Sequence, residues 1–228
     1  MMQTNMSVLL ERLEAEYPNP KYELQWKTPL DLLVATILAS QCPDERVNSV
    51  TPLLFAKYTT AKAYAEADVD ELSQEFNIVS FNLKKAKRII EVCQHLLDRF
   101  DGSVPQTMDE MLSLPGVARK TANVVLTMAF GVESGIIVDS HVARVVRRLG
   151  LSSKKTPEVQ ERELMKLVPQ DQWVAFGPAV ILHGRQTCTY REPRCLTCLF
   201  ADLCPRNGVD EEEDENEKPG KKSKRTKP

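Results

Sequence analysis

Four of the six cysteines lie within seventeen residues near the end of the chain, and this cluster limits how that region can fold. The pattern is C-x6-C-x2-C-x5-C, formed by Cys188, Cys195, Cys198 and Cys204. The chain begins with acids where a secretion signal has bases and an apolar core, so we do not expect disulfides. Four thiolates in one short loop suit a zinc ion or an iron–sulfur cluster. Because only one pair is tightly spaced, whereas zinc ribbons usually have two such pairs, the spacing favours a 4Fe-4S cluster.

Three arginines lie beside or between these cysteines: Arg185, Arg191 and Arg194. A metal centre that folds so small a loop also fixes their positions, and arginine binds phosphate through paired N–H groups. The loop therefore predicts a structural cluster with a phosphate-binding surface. The other two cysteines, Cys42 and Cys93, fall on predicted helices and are interpreted as core residues.

Helix signals recur along the chain, and strand signals are sparse. One helix is predicted from Thr28 to Gln41, apolar on nearly every side. A capping box at Thr107 opens a short helix, and a second helix follows a tight turn and ends at Gly131. Two more helices are predicted to start at Asp139 and Thr156. The pattern indicates an all-α protein with short connections.

The distribution of charge favours an anionic partner more than the net charge does. The formal net charge is −2, but residues 114–150 hold five Lys and Arg against two Asp and Glu. Residues 178–209 hold four against two, while residues 1–113 hold eleven against seventeen. A cationic face on a nearly neutral protein can attract phosphate. Ordinary variation in surface charge is the alternative.

The stretch LPGVARKTANVV, residues 114–125, predicts two helices joined by a tight turn. Backbone N–H groups from Gly116 onward would lie at the start of the second helix, where they can bind phosphate without regard to base sequence. Lys120 falls in the first turn of that helix, beside Arg119. A neutral lysine is a nucleophile that can form a Schiff base with a sugar carbon. A simple contact with phosphate is the alternative.

Asp139 follows four apolar residues, so well-anchored backbone carries it. On its own it is interpreted as a helix N-cap. Paired with an amine nucleophile, its carboxylate could instead stabilise positive charge on a sugar or activate the attacking group.

Together these motifs resemble the endonuclease III family, the iron–sulfur branch of the helix-hairpin-helix DNA glycosylases. Four stretches carry the resemblance: LPGVARKTA, VDSH, the upstream ILASQ, and ILHGRQTCTYREPRCLTCLFADLC. It extends over about residues 5–205. It implies two helical domains with a DNA-binding groove between them. A six-helix barrel with the helix-hairpin-helix would comprise residues 23–133, and a cluster domain would comprise residues 1–22 and 134–205.

The resemblance implies a bifunctional glycosylase and AP lyase that removes oxidised pyrimidines from double-stranded DNA and cuts 3′ to the site by β-elimination. By position, Lys120 matches the nucleophile, Asp139 the essential carboxylate and the four cysteines the ligands of a 4Fe-4S cluster. Gln41 matches the residue that fills the gap left by a flipped-out base, and Phe81 the usual leucine wedge. The predicted DNA contacts are Gln41, Phe81, Gly116, Ala118, Arg119, His141, Arg185, Arg191 and Arg194.

The sequence departs from the family pattern at three positions. Ala118 replaces the second glycine of the hairpin, Gly135 stands in a loop that often has a proline before the aspartate, and Phe81 is bulkier than leucine. Two other functions stay open. One is an adenine glycosylase of the same superfamily, against which Lys120 argues. The other is a non-enzymatic iron–sulfur protein that uses the hairpin only to bind DNA.

Residues 206–228 are predicted to form a disordered tail, because residues 210–228 hold seven acids followed by six bases and no apolar residue.

The longest apolar run is about eight residues, far short of the roughly 20 that a membrane-spanning helix needs. We therefore expect a monomeric, cytoplasmic protein that is associated with the nucleoid and not with a membrane.

Overall fold

The computed structural model describes residues 6–20 and 22–209. Within these ranges the chain forms eleven α-helices and two short 3-10 helices, and no strand, which confirms the predicted all-α class. The α-helices are α1 Met6–Glu16, α2 Pro29–Ala39, α3 Asp44–Lys57, α4 Ala61–Ala65, α5 Val69–Glu75, α6 Asn82–Phe100, α7 Met108–Ser113, α8 Arg119–Phe130, α9 Ser140–Arg148, α10 Pro157–Leu167 and α11 Trp173–Gln186. The 3-10 helices are Gln170–Gln172 and Cys195–Thr197.

Local signals set the starts of α2 and α7 and the end of α8 as predicted. The hydroxyl of Thr28 accepts from the N–H of Asp31 at 3.1 Å, and the Asp31 carboxylate accepts from the N–H of Thr28 at 3.0 Å, which completes a capping box. Thr107 caps α7, and Gly131 ends α8 with a left-handed backbone. Helix α2 ends at Ala39, so Gln41 lies beyond it instead of within it. That difference places Gln41 on a loop.

The main helix contacts fall into two sets. In the first, α2 packs against α3, α6 and α8, while α6 also contacts α4 and α5, and α7 contacts α8. In the second, α11 packs against α1 and α9. Buried apolar side chains from both sets form one continuous core. The predicted domain boundaries stay a prediction.

The end of the described chain lies against α9. Asn207 donates its backbone N–H to the carbonyl of Arg148 at 3.2 Å and its side-chain amide to that of Arg147 at 3.3 Å. Residues 206–209, assigned to the tail by sequence, are therefore held by hydrogen bonds, while the charged remainder of the predicted tail lies outside the described residues. No helix in the described ranges is long and apolar enough to cross a membrane.

Candidate active site

The turn between α7 and α8 depends on Gly116. Its backbone is left-handed, with φ of 66°, and a Cβ there would lie 2.6 Å from the guanidinium carbon of Arg88. Any larger residue would strain the backbone and displace Arg88. Ala118 is extended, with φ of −84°, so it carries no such strain. The second glycine of the family pattern is therefore not required by the backbone at this position.

The start of α8 has no side-chain cap. Its N-cap residue is Ala118, which has no oxygen to accept from the first N–H groups of the helix. Lys120 is the second residue of α8, and its side chain is exposed. An exposed amine thus stands beside N–H donors and the positive end of a helix dipole, an arrangement suited to a phosphodiester next to a reacting sugar.

Asp139 caps α9 with one of its two carboxylate oxygens. Oδ1 accepts from the N–H of His141 at 2.8 Å and from that of Val142 at 2.9 Å. Oδ2 accepts no hydrogen bond from any residue that the structure describes. The four-residue run before Asp139, from Gly135 to Val138, is buried, so its backbone is well anchored. One side chain can therefore cap the helix and still present a free oxygen.

Arg119 does not lie free beside Lys120, as the sequence suggested. Its Nε donates to Glu161 Oε2 at 2.7 Å and its Nη2 to Glu161 Oε1 at 3.0 Å. The Glu161 side chain is only 4 % exposed. The charge of Arg119 is therefore paired within the protein, and its predicted role as a DNA contact loses two of its donor groups.

Gln41 and Phe81 share an uncommon backbone conformation. Both have positive φ, 55° and 60° respectively, which costs a residue with a side chain of order 1 kcal/mol. Both are exposed, and Phe81 retains 57 % of its accessible surface. Buried Lys85 holds the backbone near Gln41, since its Nζ donates to the carbonyl of Leu38 at 2.7 Å. The two side chains predicted to enter the DNA are thus exposed and are carried on backbone with positive φ.

Arg185 lies at the end of α11 and joins separate parts of the chain. Its guanidinium pairs with Asp44, at 2.7 Å, and with Glu23. It therefore links separate elements through ion pairs, and its predicted contact with phosphate stays a prediction. Burial raises the pKa of Tyr22, and the charges of Asp44 and Asp139 add to the rise. Tyr22 is thus close enough to Asp44 and Asp139 for their charges to affect its hydroxyl.

His141 occupies the first turn of α9, close to Asp139. Burial lowers the pKa of His141, the charge of Asp139 opposes that effect, and the charge of Arg144 reinforces it. Its Nδ1 lies 3.2 Å from Nη2 of Arg144 and can accept from it when the ring is neutral. The lowered pKa therefore favours the neutral imidazole of His141 near pH 7 in the free protein.

The cysteine loop is held by two buried arginines of α9 that the sequence analysis did not single out. Arg148 donates to the carbonyl of Tyr190 at 2.9 Å and to Sγ of Cys188 at 3.3 Å. Arg144 donates to the carbonyls of Cys188 at 3.1 Å and Gly184 at 2.7 Å. The two arginines are four residues apart and share one helix face, a spacing that is visible in the sequence.

Arg191 and Arg194 are exposed, as a phosphate-binding surface requires.

All four cysteines of the cluster line one cavity, together with buried His183 and Phe200. Backbone N–H groups point at the sulfurs: that of Phe200 lies 3.4 Å from Cys198 Sγ, and that of Arg206 lies 3.4 Å from Cys204 Sγ. No three Cys, His, Asp or Glu side chains in the described ranges converge closely enough to hold one metal ion.

Comparisons with known proteins agree with this geometry. A family model described as HhH-GPD superfamily base excision DNA repair protein matches residues 34–170. The endonuclease III of Synechocystis sp. is 48 % identical over 202 residues, which are 89 % of this chain and 91 % of that protein. A solved structure of a trapped endonuclease III–DNA covalent intermediate is 37 % identical, with a TM-score of 0.85, over 91 % of this chain and 98 % of that one.

A solved structure of a non-covalent endonuclease III–DNA complex is also 37 % identical, with a TM-score of 0.86, over 91 % of this chain and 97 % of that one. These similarities extend over nearly the whole length of the proteins compared, and the family model matches more than half of this chain. The chain therefore belongs to the endonuclease III family, within the HhH-GPD superfamily of base excision DNA repair proteins.

Proposed function

We propose that Lys120 is the nucleophile, and Asp139 the essential carboxylate, of this enzyme. The chain is a DNA glycosylase with AP lyase activity in base excision repair, and its partner is damaged double-stranded DNA. One observation carries the assignment: an exposed amine stands at the uncapped start of α8, and Asp139 keeps a free oxygen at the start of α9. The covalent intermediate trapped in the related enzyme fits the same chemistry.

In the proposed reaction, the neutral amine of Lys120 attacks C1′ and the C1′–N bond breaks, so that the base leaves with the bonding electrons and takes up a proton. Opening of the sugar ring gives an imine between Nζ and C1′. Loss of the 2′ proton then expels the 3′ phosphate by β-elimination. Water hydrolyses the imine and frees the enzyme. The carboxylate of Asp139 would stabilise the positive charge that develops on the sugar.

The DNA contacts are proposed from the exposure of side chains and from the backbone N–H groups at the start of α8. The N–H groups from Gly116 and Ala118 onward would bind a phosphate, and Gln41 and Phe81 would occupy the space left by a flipped-out nucleotide. An aromatic ring at the wedge position can also stack on a base. Arg191 and Arg194 would contact the phosphate backbone, and the neutral ring of His141 would donate a hydrogen bond. Arg119 and Arg185 are assigned to holding the protein together.

The four cysteines are proposed as ligands of a 4Fe-4S cluster. Their shared cavity brings the four thiols together, and their spacing, with a single tight pair, favours a cluster over a zinc ion. The N–H groups directed at Cys198 and Cys204 would stabilise the bound thiolates. When bound, the cluster supplies structural cross-links that fix the loop. Purified protein should absorb in the visible range and contain iron and sulfide; a colourless protein that contains zinc would contradict the assignment.

Three broader proposals follow from the family. The domains have the predicted boundaries, the enzyme works as a monomer, and it is intracellular and associated with the nucleoid, where chromosomal DNA is found.

The proposed chemistry is tested by borohydride trapping on duplex DNA that holds either thymine glycol or an abasic site. Borohydride reduces the imine to a stable protein–DNA crosslink. Native protein should crosslink to both substrates, Lys120→Ala to neither, and the control Lys62→Ala, an exposed lysine of α4, to both. DNA binding without any crosslink by the native protein would show that the amine mechanism is wrong.

A further inference from the structure

Glu161 is a buried carboxylate on α10 that the proposed chemistry does not use. It accepts both hydrogen bonds of Arg119, the residue before Lys120, and a third from Nδ2 of Asn123 at 2.8 Å. Arg119 and Asn123 are four residues apart on one face of α8. Glu161 therefore fixes the first turn of the helix that carries Lys120.

Asn123 continues this network into the segment that leads to Asp139. Its Oδ1 accepts from Oγ of Ser134 at 3.2 Å, and its Nδ2 also lies 3.5 Å from the carbonyl of Ile136. Asn123 is 1 % exposed, and its bonds with Glu161 and Ile136 are buried, while the bond with Ser134 is partly buried. The network thus extends from the residue beside Lys120 to within three residues of Asp139.

Gly135 allows the segment to come this close. A Cβ at Gly135 would overlap Oε1 of Glu161 and would lie 3.0 Å from Oδ1 of Asn123. A flexible carboxylate could move away, but Oε1 is held by Arg119 and Asn123 and is buried. A glycine at this position is explained by the network itself.

We propose that Glu161 and Asn123 are positioning residues that set the distance between the amine of Lys120 and the carboxylate of Asp139. The inference rests on the proposed function of those two residues. Small errors in the placement of reacting groups reduce rates strongly, so a residue that touches neither DNA nor the reacting atoms can still control the rate.

The first test is the single-turnover rate of imine trapping on abasic duplex DNA, measured together with the affinity for the same DNA. Glu161→Gln should trap at least about tenfold more slowly than the native protein, with affinity within about twofold. Glu163→Gln is the matched control, because it removes the same charge from the same helix and Glu163 bonds only Ser152 among the described residues. It should trap at the native rate.

The second test is a double-mutant cycle between Gly135→Ala and Glu161→Ala. In the native background the added methyl group meets a fixed carboxylate, so Gly135→Ala should slow trapping. In the Glu161→Ala background the nearest obstacle is gone and only the 3.0 Å contact with Oδ1 of Asn123 remains, so the same change should slow trapping by a smaller factor. Additive effects would mean that the loop and the carboxylate act independently, and would overturn the proposal.

The outcomes separate this inference from the proposed function. If Lys120→Ala fails to trap while Glu161→Gln traps at the native rate, Lys120 remains the nucleophile and the positioning role is refuted. A lower melting temperature of Glu161→Gln with a native trapping rate, measured well below melting, refutes it in the same way. If Lys120→Ala traps as native protein does, the proposed function itself fails, and the positioning role fails with it.

Discussion

The two roles of Asp139 can be separated by two substitutions at the same position. Asp139→Asn keeps an oxygen that can accept from the N–H groups of His141 and Val142, at 2.8 and 2.9 Å in the native protein. Asp139→Ala removes it. Both remove the free carboxylate oxygen Oδ2. If the structure is interpreted correctly, the two variants should differ in stability and agree in activity.

The expected stability changes follow from the hydrogen bonds. Asparagine is about as good an N-cap as aspartate, so Asp139→Asn should lose only the charge–dipole interaction, about 0.5 kcal/mol. Asp139→Ala leaves two N–H groups without their acceptor and should cost a further 1 kcal/mol or so. For a protein of this size, about 1 kcal/mol corresponds to a shift in melting temperature of roughly 2–4 °C.

The expected loss of activity is much larger and equal for both. A carboxylate that assists proton transfer or stabilises charge typically contributes about 10²–10⁴ in rate. Single-turnover excision of thymine glycol from duplex DNA, measured below the melting temperature of each variant, gives that number. If Asp139→Asn retained activity within a few-fold, Asp139 would be a helix cap alone. If it melted as early as Asp139→Ala, the cap geometry described here would be wrong.

Three further predictions concern the surrounding structure. Arg148→Met should lower the free energy of unfolding by about 2–4 kcal/mol, since two carbonyls of the cysteine loop lose the charged donor of a buried arginine. Denaturant titration measures this change, and a value below about 0.5 kcal/mol would contradict the contacts. Because burial lowers the pKa of His141, its NMR titration midpoint should lie below about 6.5. As pH falls below that value the unfolded chain takes up the proton first, so the contribution of His141 to stability should be lost. A midpoint above 6.5 would refute the neutral ring. Gly116→Ala should destabilise the protein by at least about 1 kcal/mol, from the positive φ and the contact with Arg88; a melting temperature equal to that of the native protein would contradict it.

Features that depend on a few neighbouring residues could be predicted from the sequence. Thr28, Thr107 and Gly131 start or end helices where expected, because capping is decided by hydrogen bonds within one turn. The spacing of the cysteines likewise predicted one shared site, since only fifteen residues lie between the first and the last, and all four line one cavity.

The partners of charged side chains could not be predicted in this way. Arg119 pairs with a carboxylate 42 positions away, and Arg185 with Asp44, 141 positions away. Each arginine looked like a free cation because its acid lies on a distant element that only tertiary packing brings near. Arg148 was missed for the opposite reason, since a buried arginine has no local signal that distinguishes it from an exposed one.

The central claim is that Lys120 forms the covalent bond to DNA. The most direct test is to trap the native protein on abasic duplex DNA with borohydride, digest the complex with protease and nuclease, and locate the modified residue by tandem mass spectrometry. We predict that the sugar remnant is attached to Nζ of Lys120. Attachment to another lysine or to the amino terminus, with an unmodified Lys120 peptide, would contradict the account.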